Sequence, residues 1–154
     1  MTVALSQAVP DFSAPTTTID NFNLADFKGK KLVLYFYPKD NTPGCTTEGM
    51  QFRDLHPQFQ AANAEVFGIS RDSLKSHMNF KTKLGMPFEL ISDGDEALCQ
   101  LFDVIKMKKM YGKEVRGIER STFLIDEKGQ LSKEWRGIKV AGHVQEVLDF
   151  VQAM

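Results

Sequence analysis

Apolar positions along this chain fall into short continuous runs separated by longer stretches of helical period. From Leu32 to Tyr37 every residue is apolar, and Pro38 stops the run. That pattern predicts a strand covered on both faces. Helical text follows from about Thr46, with Glu48 in the first turn, where a carboxylate complements the helix dipole. Pro57 interrupts this text and predicts a kink or a fresh helix start near Leu55–Pro57. Glu65 to Ser70 reads as a second buried strand. Ser73 then caps a helix that runs to Leu84, with Gly85 as its stop. Phe88 to Ile91 is a third strand. Asp95 to Ile105 reads as a helix with a core stripe of Leu98, Leu101, Phe102 and Ile105, which puts Cys99 on its flank, about 100° from Leu98. Ser121–Asp126 and Gly129–Trp135 flank a Glu127-Lys128-Gly129 turn and predict an antiparallel hairpin. Val144, Val147, Leu148 and Val151 repeat at helical spacing and predict a closing amphipathic helix. The polar text from Val9 to Leu24, with Pro10, Pro15 and a Thr16-Thr17-Thr18 run, predicts short strands or a hairpin at one sheet edge.

Strands alternating with helices, and a hairpin late in the chain, define an α/β class with a central mixed β-sheet flanked by helices. There is no internal repeat and no composition shift that marks a linker. At 154 residues the chain suits a single domain, residues 1–154, with one sizeable core. The net charge of -1 gives no global attraction to nucleic acid or to an anionic membrane. The Lys106–Lys113 segment is lysine-rich but carries no recognition motif and reads as a solvated loop. No window approaches the roughly 18 apolar residues of a membrane span. The N-terminus lacks a basic and then apolar signal, so the expected compartment is a reducing cytoplasm. Two cysteines, Cys45 and Cys99, and three histidines show no metal-site spacing, so no metal or other cofactor is expected. His56, His77 and His143 read as surface or capping residues.

The candidate chemistry lies at Tyr37-Pro38-Lys39-Asp40-Asn41-Thr42-Pro43-Gly44-Cys45-Thr46-Thr47-Glu48. A cysteine opens a helix directly after a buried strand. There it faces unpaired backbone N–H groups and the positive end of the dipole, which favour the reactive thiolate. A buried strand, a Pro/Gly loop and a helix opening with cysteine is the thioredoxin-like arrangement. Dithiol exchange would need a second cysteine three residues on, where Glu48 stands.

Pro38, Thr42 and Cys45 form instead a Pro-x-x-x-Thr-x-x-Cys signature. With Gly117-Ile118-Glu119-Arg120-Ser121-Thr122-Phe123-Leu124-Ile125-Asp126 downstream, the chain resembles a peroxiredoxin of the bacterioferritin-comigratory-protein, or PrxQ, subfamily. The resemblance runs from Val9-Pro10-Asp11-Phe12 through the final helix. It implies a thioredoxin-like fold and thiol-dependent reduction of hydrogen peroxide and organic hydroperoxides. It implies that Cys45 attacks the terminal peroxide oxygen and becomes a sulfenic acid. Thr42 would bond the thiolate and the peroxide, and Pro38 would wall the pocket. Arg120 would hold both reactants, and Glu48 would orient its guanidinium. An ordinary cysteine of pKa ~8.5 is already a few per cent thiolate at neutral pH, so full ionisation gains only about ten- to thirtyfold. Activation must therefore come mostly from donors that strengthen as the O–O bond breaks: Thr42, Arg120 and the backbone N–H groups of Gly44–Cys45.

Many subfamily members carry a resolving cysteine five residues after the nucleophile, where this chain has Met50, or on the following helix, where Ser73–Leu84 contains none. The expected enzyme is therefore a one-cysteine type resolved by an external thiol such as a thioredoxin-like protein, and the resemblance implies a monomer. Two alternatives remain: Cys99 as an unusual resolving residue, and a peroxide sensor that relays oxidation to a partner.

Overall fold

The computed structural model describes residues 2–18 and 21–154. A central sheet has strand order β5-β4-β3-β8-β9. It comprises β3 (Lys31–Phe36), β4 (Ala64–Ser70), β5 (Leu90–Ser92), β8 (Ser121–Ile125) and β9 (Leu131–Trp135). β3, β4 and β5 run parallel, whereas β8 pairs antiparallel with β3, and β9 with β8. The mixed sheet and the late hairpin of the sequence reading are both present.

β3 explains why the sheet is covered on both sides. Val33, Tyr35 and Tyr37 enter one hydrophobic cluster, and Leu32, Leu34 and Phe36 enter another, as the two-residue period of a strand demands. Three helices cover the first face: α1 (Pro43–Ala61), α2 (Leu74–Leu84) and α4 (His143–Gln152). α4 buries Val144, Val147, Leu148 and Val151, each worth about 1.5–3 kcal/mol of apolar burial. The short α3 (Ala97–Leu101) and the N-terminal hairpin of β1 (Ser13–Pro15) and β2 (Asn21–Asn23) cover the second face. Thr16 bridges to Ile91 of the edge strand β5, so the hairpin sits at the sheet edge as expected. Ile19 and Asp20, within that predicted hairpin, lie outside the described residues.

Six local expectations are corrected. α1 is continuous through Pro57, so no fresh helix starts there. Proline costs that helix a hydrogen bond, but Phe52, His56 and Phe59 are buried on either side of it and keep the segment on the core. α1 also begins at Pro43, which suits the first helical position because its missing N–H would be unpaired anyway. α3 is five residues long rather than eleven, because Asp103 adopts a left-handed φ of 53° and Ile105 begins a strand. Cys99 is consequently not on a flank but fully buried. The Lys106–Lys113 segment is no loop: β6 (Ile105–Met110) and β7 (Lys113–Ile118) form a two-stranded ribbon. Its turn is Tyr111-Gly112, with both φ angles positive (55° and 78°), the tight geometry that matches strand twist. Finally, all three histidines are buried. No helix among the described residues is long and apolar enough to cross a membrane.

Candidate active site

The site forms where β3 ends and α1 begins. After Phe36 the chain turns through Tyr37–Asn41, and Thr42 takes an extended conformation as the helix N-cap. The Thr46 N–H closes the first helical bond onto the Thr42 carbonyl at 2.9 Å. The Thr42 side chain does not cap the helix. Its hydroxyl donates to the Lys39 carbonyl at 2.8 Å, which leaves the oxygen lone pairs as acceptors. Pro38 is half-buried in the same loop. The uncapped first turn leaves the N–H groups of Gly44 and Cys45 as orphan donors of the helix end.

Cys45 is 2% exposed. Arg120 reaches it from the segment between β7 and β8, with Nη2 3.4 Å from Sγ. The same guanidinium donates from Nη1 to Glu48 Oε1 at 2.7 Å. The backbone holds this arginine in place: the Glu119 N–H donates to the Val104 carbonyl at 2.7 Å, and the Ile138 N–H to the Arg120 carbonyl at 3.1 Å. Cys45, Arg120 and Glu48 are thus brought together as the sequence reading expected, while Thr42 and Pro38 stand on the loop leading to them.

Glu48 is wholly inaccessible. Burial raises its carboxyl to about 7, although Arg120 pulls the other way by charge and by hydrogen bond. Among the described residues its Oε2 has no hydrogen-bond partner, and neither does the buried Tyr35 hydroxyl. Gly44 has a role that only the geometry reveals: a Cβ there would stand 3.1 Å from Arg120 Nη2. Glycine lets the guanidinium close on the sulfur.

The Pro38–Thr42 loop is anchored by a buried polar network that no sequence spacing betrays. Asp40 Oδ1 accepts from Tyr37 Oη at 2.6 Å, and Oδ2 lies 2.7 Å from Ser76 Oγ and 2.8 Å from His77 Nδ1. His77 Nε2 is 2.9 Å from the Ile91 carbonyl, so it carries a proton there. The Asp40 N–H donates to Asp72 Oδ2 at 3.0 Å, and Ser70 Oγ donates to the same oxygen. Ligand atoms of Asp40, Asp72 and His77 do gather within 4.8 Å of one another, a grouping of metal-ligating types that spacing did not foretell. Hydroxyl and N–H donors already reach Asp40 Oδ1 and Oδ2 and Asp72 Oδ2, and the group acts as a clamp between the Thr42 loop and α2. His143, at the start of α4, has Nε2 2.8 Å from Thr122 Oγ1. Burial lowers it to about 4, with a further push from the Arg120 charge.

Cys99 lies on the opposite face of the sheet from Cys45, in the second hydrophobic cluster. Burial pushes its thiol well up, and the Asp93 carboxylate adds to the shift. The same carboxylate takes the Leu98 and Cys99 N–H groups at 3.0 and 2.7 Å, locking the start of α3.

A strand-loop-helix cysteine with a guanidinium on its sulfur, set in a thioredoxin-like sheet, defines a class of thiol enzyme. Residues 5–134 match the AhpC/TSA family, and the chain belongs to that family. Peroxiredoxin Bcp of Xanthomonas campestris is 61% identical over 125 residues, covering 81% of this chain and 78% of the relative. Peroxiredoxin Bcp of Bacillus subtilis is 49% identical over 154 residues, covering 100% and 98%. Among solved structures, PrxQ of Xylella fastidiosa superposes with a TM-score of 0.93 at 46% identity, over 99% of this chain and 98% of that one. A structure concerned with alkyl peroxide reduction by the Xanthomonas campestris bacterioferritin comigratory protein gives 0.90 at 52% identity, over 98% and 96%. The chain is accordingly a peroxiredoxin of the Bcp/PrxQ group, a thiol-dependent peroxidase that takes a peroxide substrate and a thiol reductant.

Proposed function

We propose that Cys45 is the peroxide-reducing thiol of this enzyme, and that Thr42, Arg120, Pro38 and Glu48 complete its site within one catalytic domain. The carrying observation is the 3.4 Å approach of Arg120 Nη2 to Cys45 Sγ at the open end of α1. The thiolate attacks the terminal oxygen of a hydroperoxide. The S–O bond forms as the O–O bond breaks, sulfur is oxidised to the sulfenic acid, and the remaining oxygen leaves as water or an alcohol. Negative charge moves onto that leaving oxygen in the transition state. Fixed donors aimed at it act with most effect where water is excluded, and Arg120 with the Gly44 and Cys45 N–H groups are such donors. The Thr42 oxygen is free to accept from the peroxide O–H, and Pro38 shields the loop side.

Resolution comes from outside the chain. Cys99 is separated from Cys45 by the full thickness of the central sheet, and a disulfide needs Cα atoms within roughly 7 Å. An external thiol, from a thioredoxin-like protein in the cytoplasm, therefore reduces the sulfenic acid of a monomeric enzyme. The test is steady-state turnover of hydrogen peroxide and an alkyl hydroperoxide with a thiol reductant, for the native protein and for Cys45→Ser. Loss of turnover in a folded Cys45→Ser protein is the expected result, and substantial peroxide consumption by that variant overturns the proposal. A sensor would oxidise once and stop, whereas this enzyme cycles.

A further inference from the structure

We propose that Cys45 and Glu48 share a single negative charge across Arg120, so that Glu48 holds the proton Cys45 gives up on becoming a thiolate. This deepens the reading of Cys45 as the reactive thiol and rests on it. The geometry is a bridge: one guanidinium donates to Glu48 Oε1 at 2.7 Å and to Cys45 Sγ at 3.4 Å. One positive charge lies between two acidic groups that are 0% and 2% exposed. With both ionised, the buried trio carries an uncompensated negative charge, which burial strongly disfavours. With one ionised, it is neutral.

The hydrogen bonding of Glu48 points the same way. Among the described residues the buried Oε2 has no hydrogen-bond partner, although an ionised carboxylate needs its oxygens satisfied. A protonated carboxyl leaves far less charge stranded. Burial already brings Glu48 to about 7 against the pull of Arg120, so its proton is available at neutral pH. The other groups acting on the site do not replace it. Tyr35 is held neutral, its hydroxyl pushed well up by burial first and then by Glu48, Cys45 and Asp40. Lys108, from β6, acts on Arg120 and Cys45 from a distance while its Nζ is bound to the Ile118 carbonyl. His143 is lowered to about 4 by burial and is neutral at working pH. Asp40 is held ionised by its bonds to His77, Tyr37 and Ser76, which outweigh the burial opposing it.

The chemical step then balances within the site. Thiolate, protonated Glu48 and hydroperoxide give sulfenic acid, Glu48 carboxylate and alcohol. The S–O bond forms, the O–O bond breaks, and the proton released by Glu48 offsets the one taken up by the leaving oxygen. Solvent can carry that proton, so Glu48 acts through Arg120 and need not touch the peroxide. The carboxylate it becomes is then paired to Arg120 alone, because the sulfenic acid is neutral.

The test is the ultraviolet thiolate absorbance of Cys45 followed against pH, with Cys45→Ser as the blank, in the native protein and in Glu48→Gln. Glutamine keeps the hydrogen bond to Arg120 and removes the titration. Native protein should gain thiolate in two steps separated by about one pH unit or more, the signature of strongly coupled groups. Glu48→Gln should gain all of it in one step at lower pH. Matching single-step curves for the two proteins overturn the proposal. If Glu48→Gln does not fold, NMR of the isotope-labelled Glu48 carboxyl carbon decides. Its midpoint should fall by about one unit when Cys45 is replaced by serine, and an unchanged midpoint overturns the shared charge. Absence of any thiolate signal above the Cys45→Ser blank, with peroxide turnover retained, would instead refute the assignment of Cys45 itself.

Discussion

Arg120→Met, made in a Cys45→Ser background so that Glu48 alone responds, isolates the buried ion pair. In the native arrangement Glu48 sits at about 7, above its ordinary 4.5. Between those values the folded protein binds a proton that the unfolded chain releases. The contribution of Glu48 is therefore most favourable below about pH 4.5 and is lost as pH rises through 7. Removing Arg120 removes both influences that lower Glu48, its charge and its hydrogen bond, so the carboxyl rises further. At low pH, well below the Glu48 midpoint in this background, the carboxyl is protonated with or without Arg120, and the substitution costs only lost packing. Above pH 7 the arginine protein has an ion pair, whereas the methionine protein must keep its carboxyl protonated or bury a bare charge. The difference grows by up to about 1.4 kcal/mol per pH unit, or roughly 3 kcal/mol between pH 7 and 9. That approaches the roughly 3–5 kcal/mol cost of breaking a buried ion pair. Urea denaturation of both proteins across this range measures it, and adding Glu48→Gln should abolish the slope. A destabilisation that is flat with pH would show that Arg120 and Glu48 form no buried ion pair.

Two other predictions follow from neighbouring contacts. His143 is lowered to about 4 by burial and returns to about 6.5 on unfolding. Stability should therefore fall as pH drops from about 6.5 towards 4, by up to about 3 kcal/mol. Denaturation curves of native and His143→Gln proteins should diverge in that window; parallel curves would show that His143 is not the group responsible. Gly44→Ala places a methyl group 3.1 Å from Arg120 Nη2. It should lower the peroxide rate by about tenfold or more, as loss of an aligned donor does, with little change in helix content; an unchanged rate would mean that Arg120 tolerates displacement.

The parts legible in the sequence were those carried by local pattern. The apolar run ending at Pro38, the Ser73 cap that accepts from the Ser76 N–H at 3.2 Å, and the left-handed Gly85 stop each depend on residues close in the chain. Cys45 at a helix start was legible for the same reason, and the Arg120 motif came through resemblance. What failed depended on partners far away. His77 reads as a surface residue until the fold brings it to Asp40, 37 positions back. The β6–β7 ribbon exposes Met107, Tyr111 and Val115 alongside its lysines, so neither face shows the alternation that betrays a half-buried strand. Sequence spacing overextends α3 because Phe102 and Ile105 are core-facing at helical spacing, although Asp103 has already turned the chain between them. The same spacing misplaces Cys99, whose burial bears directly on how the enzyme is resolved.

Mass spectrometry of the intact protein after one equivalent of hydroperoxide, without added thiol, decides whether Cys45 is oxidised alone. A sulfenic acid on Cys45, trapped by a sulfenic-acid reagent, with the Cys99 thiol unmodified, is the expected product. Cys99→Ser should turn over at the native rate with a small thiol. A Cys45–Cys99 disulfide, together with a Cys99→Ser protein that reacts once and stops, would overturn resolution by an external thiol.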